Sequence, residues 1–164
     1  SINAYEFQFK SIDGEELKLS KYTNKVLLVV NTASRCGFTP QYTALQNLWD
    51  QYKNKGLVVI GVPSGDIGNQ ELGDDEKIKN FCEVNFNINF PMTTRSHVKG
   101  PKAHPFYKWA NKQVGFTGTP RWNFHKFLIG PKGQIIDWFA STTKPGSLKI
   151  KSKIEKQLSL IKQK

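Results

Sequence analysis

Apolar residues along this chain come in distinct rhythms, and each rhythm predicts an element. Near the start Tyr5, Phe7 and Phe9 alternate with Glu6, Gln8 and Lys10, the two-residue period of a strand. Asp13-Gly14 is a hairpin turn signal, and Leu17 and Leu19 resume the alternation on the return strand. Two unbroken runs follow, Val26 to Val30 and Leu57 to Val62. Both are too short for a helix and rich in β-branched residues, so they predict strands buried on both faces. Between them Tyr42, Leu45, Leu48, Trp49 and Tyr52 recur at helical spacing, which gives a helix one apolar face to bury. Thr39-Pro40 reads as the N-cap and first position of that helix, and Lys55-Gly56 as its stop. A strand–helix–strand order makes a right-handed crossover and a parallel pair the expected connection.

The second half continues the pattern. Pro63 to Asp74 has no periodicity and is expected as a loop leaving the C-terminal end of its strand. Asp74-Asp75-Glu76 places negative charge at a helix start, with Ile78, Phe81 and Cys82 on one face. That helix should weaken through Asn85, Asn87 and Asn89, because asparagine competes for backbone hydrogen bonds. Phe90 to Thr94 reads as a strand, and His104-Pro105 opens a helix carrying Phe106, Tyr107, Trp109 and Ala110. A loop from Gly115 to Arg121 leads to a strand over Asn123 to Ile129. Pro131-Lys132-Gly133 then turns the chain into a partner strand over Gln134 to Ala140. Leu148, Ile150, Ile154, Leu158 and Ile161 mark a last amphipathic helix, with Lys149, Lys151, Lys153, Lys156, Lys162 and Lys164 on its other face. No repeat or linker interrupts residues 1–164, so one α/β domain is expected. A mixed central sheet with helices on both faces and an N-terminal β-hairpin fits a thioredoxin-like fold.

Composition narrows the function. Two cysteines, Cys36 and Cys82, are too few for a disulfide scaffold, and they are not a CxxC pair, since Thr39 stands where the second cysteine would fall. The three histidines and two cysteines show no ligand spacing, so no metal and no other cofactor is expected. No run is long enough to span a bilayer, and the N-terminus lacks the layout of a signal peptide. The chain as it stands is expected in the cytoplasm, although a removed signal would leave no trace in it. A net charge of +11 suits a solvated surface, an acidic partner, or a weak contact with an anionic membrane surface. Nucleic acid is disfavoured as a partner, because the lysines gather on the last helix without interleaved aromatics.

Chemistry concentrates after the first buried run. Cys36 sits at the C-terminal end of a strand, just ahead of a helix start, where unpaired backbone N–H groups favour negative charge on sulfur. Arg35 beside it is a second positive source. The competing reading is a small buried core residue, but a strand-to-helix loop is a poor place for one.

The segment Asn31-Thr32-Ala33-Ser34-Arg35-Cys36-Gly37-Phe38-Thr39 resembles the nucleophile segment of the glutathione peroxidase family. Trp122-Asn123-Phe124-His125-Lys126-Phe127-Leu128 resembles that family's second signature, and Val62-Pro63-Ser64 through Gly68-Asn69-Gln70-Glu71 its third. Phe90-Pro91-Met92 and His104-Pro105-Phe106-Tyr107 also match, so the similarity covers nearly the whole chain. The resemblance implies a thiol peroxidase in which Cys36 attacks a peroxide oxygen, forms a sulfenic acid and releases water or an alcohol. It also implies that the Trp122 indole and the Asn123 amide donate hydrogen bonds to Cys36.

Two further positions carry the resemblance. The family's Asn-Gln pair after the proline step is here Gly65-Asp66. A carboxylate near Cys36 would oppose the thiolate unless it is turned away or held by a cation, so Asp66 is carried over as a position, with its role open. Gln70 could substitute only in a rearranged loop. Cys82 stands where thioredoxin-using members carry a resolving cysteine, and the chain is short between Val98 and Trp122, where other members carry an insertion linked to tetramers and glutathione. The implied enzyme is a monomer that reduces hydrogen peroxide and organic or lipid hydroperoxides. It would be recycled through a Cys36–Cys82 disulfide by thioredoxin, with glutathione as the other reductant. The alternative is a peroxide sensor that passes its disulfide to a partner protein.

Overall fold

The structure is a computed structural model and describes residues 1–161. The strands are β1 (Gln8–Lys10), β2 (Glu16–Lys18), β3 (Val26–Thr32), β4 (Leu57–Pro63), β5 (Lys126–Ile129) and β6 (Ile135–Phe139). The helices are α1 (Gln41–Tyr52), α2 (Asp75–Phe86), α3 (Pro105–Gly118) and α4 (Leu148–Leu158). β1 and β2 form the N-terminal hairpin, and the main sheet has the order β4-β3-β5-β6. β3 runs parallel to β4 and antiparallel to β5, and β5 runs antiparallel to β6.

β3 and β4 are unbroken apolar runs because each has a covered face on both sides. Val26, Leu28, Val30, Leu57 and Val59 face one way, against Tyr42, Leu45 and Leu48 of α1, Ile78 and Cys82 of α2, and Ile150 and Ile154 of α4. Leu27, Val29, Val58, Ile60 and Val62 face the other way, against Phe106, Tyr107 and Ala110 of α3 and Phe9 and Leu17 of the hairpin. The alternation along each strand thus sorts the core into two layers. Neither layer could form without its helices.

Several local expectations are corrected. The alternation at Tyr5 is not strand: Ala4–Glu6 is a 3-10 turn with Asn3 as its cap, and Leu19 opens a second 3-10 turn. Phe90 to Thr94 makes only isolated bridges, Met92 with Gly61 and Thr93 with Ser11, so it lies beside the sheet edge without joining it. The loop expected from Gly115 is a continuation of α3 to Gly118 across a kink, where Gly115 takes φ +73°. Residues 123 to 125 are not yet strand, for a reason that belongs to the site. Leu148 is 84% exposed, because α4 begins there before its apolar face meets the sheet. Lys162 and Lys164 lie outside the described residues. Among the described residues no helix is long and apolar enough to cross a membrane.

Candidate active site

β3 carries the chain to the end of the sheet, where Asn31 and Thr32 still pair with Val62 and Pro63 of β4. Beyond Thr32 the chain bends before α1 begins. Thr39 is not the cap of α1, which starts at Gln41 without a side-chain cap. Its hydroxyl instead accepts the Cys36 N–H at 2.9 Å and donates to the Ala33 carbonyl at 2.8 Å, closing the turn around the cysteine. The Phe38 N–H is directed at sulfur, with 3.3 Å between Phe38 N and Cys36 Sγ. A backbone donor in that position stabilises negative charge on sulfur without neutralising it. Cys36 is free and buried, 7% exposed.

The loop after β4 holds this turn from behind. Arg35 N–H donates to the Gln70 carbonyl at 2.9 Å, and Ser34 N–H to Glu71 Oε1 at 3.0 Å. The same Glu71 oxygen accepts the Leu72 N–H at 2.8 Å. Burial pushes the Glu71 carboxyl up, and these donors oppose the shift.

The segment that follows α3 is fastened to Asn31. Asn31 Nδ2 donates to the Trp122 carbonyl at 3.1 Å, and Phe124 N–H donates to the Asn31 carbonyl at 2.6 Å. Phe124 takes φ +66°, an uncommon conformation for a bulky residue, and this turn is why β5 starts only at Lys126. Its ring is fully buried edge-on to Tyr42, with centroids 5.3 Å apart, which offsets the strain.

Trp122 and Asn123 therefore reach the same end of the sheet as Cys36. The Trp122 ring covers Gly68: a Cβ there would meet the ring at 2.7 Å, and Gly68 also takes φ +73°, so glycine is required twice over. Trp122 stays 36% exposed, whereas Asn123 is fully buried. Sequence reading aims the Asn123 amide at sulfur. Here Asn123 Nδ2 donates to the Ile67 carbonyl and to Gln70 Oε1, both at 3.1 Å. The donor seen on Sγ is the Phe38 N–H instead.

Asp66 is turned away and held. Its carboxylate pairs with His97 Nδ1 at 2.7 Å and accepts the Val98 N–H at 2.8 Å. Partial burial works against the charge, but the His97 and Val98 hydrogen bonds outweigh it and hold the carboxyl below its ordinary range. An ionised carboxylate only accepts, so Asp66 cannot serve as a donor to Cys36. Gln70 is the carboxamide that meets Asn123. The signal for it was a second amide four residues after Asp66 in the same matching loop. Thr39 and the Phe38 amide left no such signal, because a hydroxyl before proline reads first as a cap and a backbone N–H has no letter of its own.

Cys82 lies on α2, free and 1% exposed, in the apolar layer that also contains Cys36. Burial pushes its thiol up to about 12; the Tyr42 hydroxyl opposes the shift, and Glu71 and Glu83 add to it. The two sulfurs do not form a disulfide here.

Comparison with known proteins identifies the arrangement. A sequence model described as glutathione peroxidase matches residues 4–111. The chain belongs to the glutathione peroxidase family. It is 45% identical over 159 residues to the glutathione peroxidase homolog BsaA of Halalkalibacterium halodurans, covering 96% of this chain and all of that one. Identity is 41% over 148 residues with glutathione peroxidase-like peroxiredoxin 2 of Saccharomyces cerevisiae, covering 88% of this chain and 91% of that one. The hydroperoxy fatty acid reductase gpx1 of Synechocystis is 40% identical over 162 residues, covering 94% of this chain and 95% of that protein. Among solved structures, the crystal structure of Trgpx in apo form superposes with a TM-score of 0.79 at 36% identity, covering 98% of both chains. A thioredoxin family thiol:disulfide interchange protein from Chlorobium tepidum, at 14% identity and a TM-score of 0.70 over 93% of this chain and 92% of that one, shows the shared fold. The family's thioredoxin-like fold is thus the fold of this chain.

Proposed function

We propose that this member of the glutathione peroxidase family is a thiol peroxidase that reduces hydrogen peroxide and organic hydroperoxides at Cys36. The observation that carries the reading is the turn at the end of β3, which sets the Cys36 sulfur against the Phe38 N–H, with Trp122 and Asn123 fastened to the same strand end. The Cys36 thiolate attacks the terminal peroxide oxygen and the O–O bond breaks. Sulfur becomes a sulfenic acid and the departing oxygen takes a proton, leaving as water or an alcohol. Trp122 and Asn123 act on the charge that develops there, Asn123 once its amide is released from Gln70. Cys82 then attacks the sulfenic sulfur and expels water, giving a Cys36–Cys82 disulfide. Two electrons from thioredoxin restore both thiols, glutathione being the weaker reductant. The enzyme works as a monomer in the cytoplasm, and the exposed Lys149, Lys153 and Lys156 of α4 allow at most a weak contact with an anionic membrane surface.

Peroxide-dependent NADPH oxidation tests this, comparing a thioredoxin system with glutathione and its reductase. Turnover with thioredoxin well above that with glutathione is expected. Stable mixed disulfides with a client protein, without turnover, would favour the sensor instead.

A further inference from the structure

α2 ends against α1, where two side chains one helical turn apart receive it. The Tyr42 ring meets Phe86, the last residue of α2, at 5.4 Å between centroids. Gln46 meets Asn89, just beyond the helix, through two hydrogen bonds. Its Nε2 donates to Asn89 Oδ1 at 2.7 Å, and its Oε1 accepts the Asn89 N–H at 3.0 Å. Residues four apart share a helix face, so both contacts lie on one side of α1.

A primary carboxamide suits this place because one edge donates and the other accepts. The Asn89 N–H fixes which edge is which, since only the Gln46 oxygen can take it. Nε2 has a further acceptor within α1, Asp50 Oδ1 at 3.0 Å. Gln46 itself is buried, whereas Asn89 faces solvent. The clasp lies between Cys82 and the sheet. Before it, the Cys82 carbonyl accepts from the Asn87 and Ile88 N–H groups. After it, Gly61 of β4 donates to the Pro91 carbonyl at 3.0 Å and accepts the Thr93 N–H at 2.9 Å. For the last turn of α2 to unwind, the chain beyond it has to move. Among the described residues, the clasp is the first hydrogen-bonded anchor to another element that this chain meets.

We propose that Gln46 is a positioning residue for the resolving step: its clasp on Asn89 holds the end of α2 closed, and release of the clasp sets how fast Cys82 reaches the oxidised Cys36. The proposal rests on the reading of Cys82 as the resolving thiol. Gln46 touches no reacting atom. The Cys82 sulfur attacks the sulfenic sulfur, the S–S bond forms as the S–O bond breaks, and water leaves with the thiol proton. The bond from Gln46 to Asp50 stays within α1 and is not lost on opening, so only the two bonds to Asn89 weigh against release.

The test is iodoacetamide labelling of Cys82 in the reduced protein, told apart from Cys36 by peptide mass. Gln46→Ala, which keeps α1 helical, should be labelled about tenfold faster or more, the value of two neutral hydrogen bonds. Asn89→Ala loses one of the two and should be labelled about two- to tenfold faster. The double variant should match Gln46→Ala, since the Asn89 side chain acts through Gln46. In the parent the rate should not change with low urea, because the opening is local. A glutamine that merely stabilises the fold would lower the urea midpoint and leave labelling in water unchanged; that result, or additive effects, overturns the proposal. Should Gln46→Ala not fold, parent-like labelling of Asn89→Ala, at an exposed position, overturns it. After one equivalent of hydrogen peroxide, dimedone should capture less Cys36 sulfenic acid in Gln46→Ala than in the parent, because the disulfide forms sooner. Equal capture, with a disulfide formed in the parent, overturns the link to the resolving step alone. A parent that forms no Cys36–Cys82 disulfide overturns the resolving role of Cys82 itself, and the proposal with it.

Discussion

Cys36 and Cys82 border the same apolar layer, yet the chain around each is built to a different end. Cys36 sits in a bend tied down by Thr39, Gln70 and Glu71, and its sulfur already receives a backbone N–H. Cys82 sits inside a regular helix beneath the Tyr42 hydroxyl, with its thiol pushed up to about 12 by burial. One site is assembled before any peroxide arrives. The other is buried in a helix, its thiol held back from ionising. A peroxidase gains from that contrast, because a resolving thiol as reactive as the nucleophile would itself be exposed to peroxide. If Cys82 is the resolving thiol, the end of α2 is where the helix would have to open. Asn87 caps it at φ +51°, and the Cys82 carbonyl accepts from the Asn87 and Ile88 N–H groups, so opening the last turn frees Cys82 itself.

The strongest way to break this comparison is Cys36→Ser. A hydroxyl is almost wholly protonated near neutral pH, so thioredoxin-linked peroxide reduction should vanish. Appreciable turnover by that variant would sink the assignment of Cys36. Cys82→Ser should separate the two halves of the cycle. It should react once with peroxide, stall as a sulfenic acid that a dimedone probe captures, and lose turnover with thioredoxin. In the parent protein, oxidation should raise hydrogen exchange across residues 76 to 89; normal cycling by Cys82→Ser would make Cys82 a core residue only.

Alkylation sharpens the contrast without any substitution. With its thiol near 12, Cys82 is ionised at pH 8 to about one part in ten thousand, against about a quarter for an ordinary cysteine. Iodoacetamide should therefore label Cys82 about a thousandfold more slowly in the folded protein than in urea. Below the raised value its labelling should quicken about tenfold per pH unit, since only the thiolate reacts. Similar rates in both conditions would mean that α2 is already open.

Asn123→Ala and Trp122→Phe test the donor side of the Cys36 region. Loss of one charge-directed hydrogen bond, about 1.5–3 kcal/mol, should slow the reaction with peroxide by about one to two decades with the fold intact. Parent-like rates in both would assign charge stabilisation to the Phe38 N–H alone. The smallest effect is expected from Thr39→Val, which leaves the buried Cys36 N–H and Ala33 carbonyl without their hydroxyl partner. Urea unfolding should show a loss of about 1–3 kcal/mol, and an unchanged midpoint would mean that the turn is held from the Gln70 side.

Much of this molecule was legible in one dimension. The runs Val26 to Val30 and Leu57 to Val62 announced their strands because burial on both faces leaves no room for polar residues. The faces of α1 and α2, the loop from Pro63 to Asp74 and the position of Cys36 at a strand end followed from periodicity and turn residues close in sequence. Three matching segments then pointed to the family. What the tertiary structure alone decided depends on residues far apart. His97 and Val98, more than thirty positions downstream, draw Asp66 away from a donor's role. Gln70 engages the Asn123 amide, Asn31 bends Phe124 into a left-handed turn, and Thr39 closes a loop where its neighbour Pro40 suggested a cap. Backbone propensity and hydrophobic period are local quantities and can be read in order along the chain. The direction of a polar side chain is set by whichever partner the fold brings within about 3 Å, and no local pattern encodes that choice.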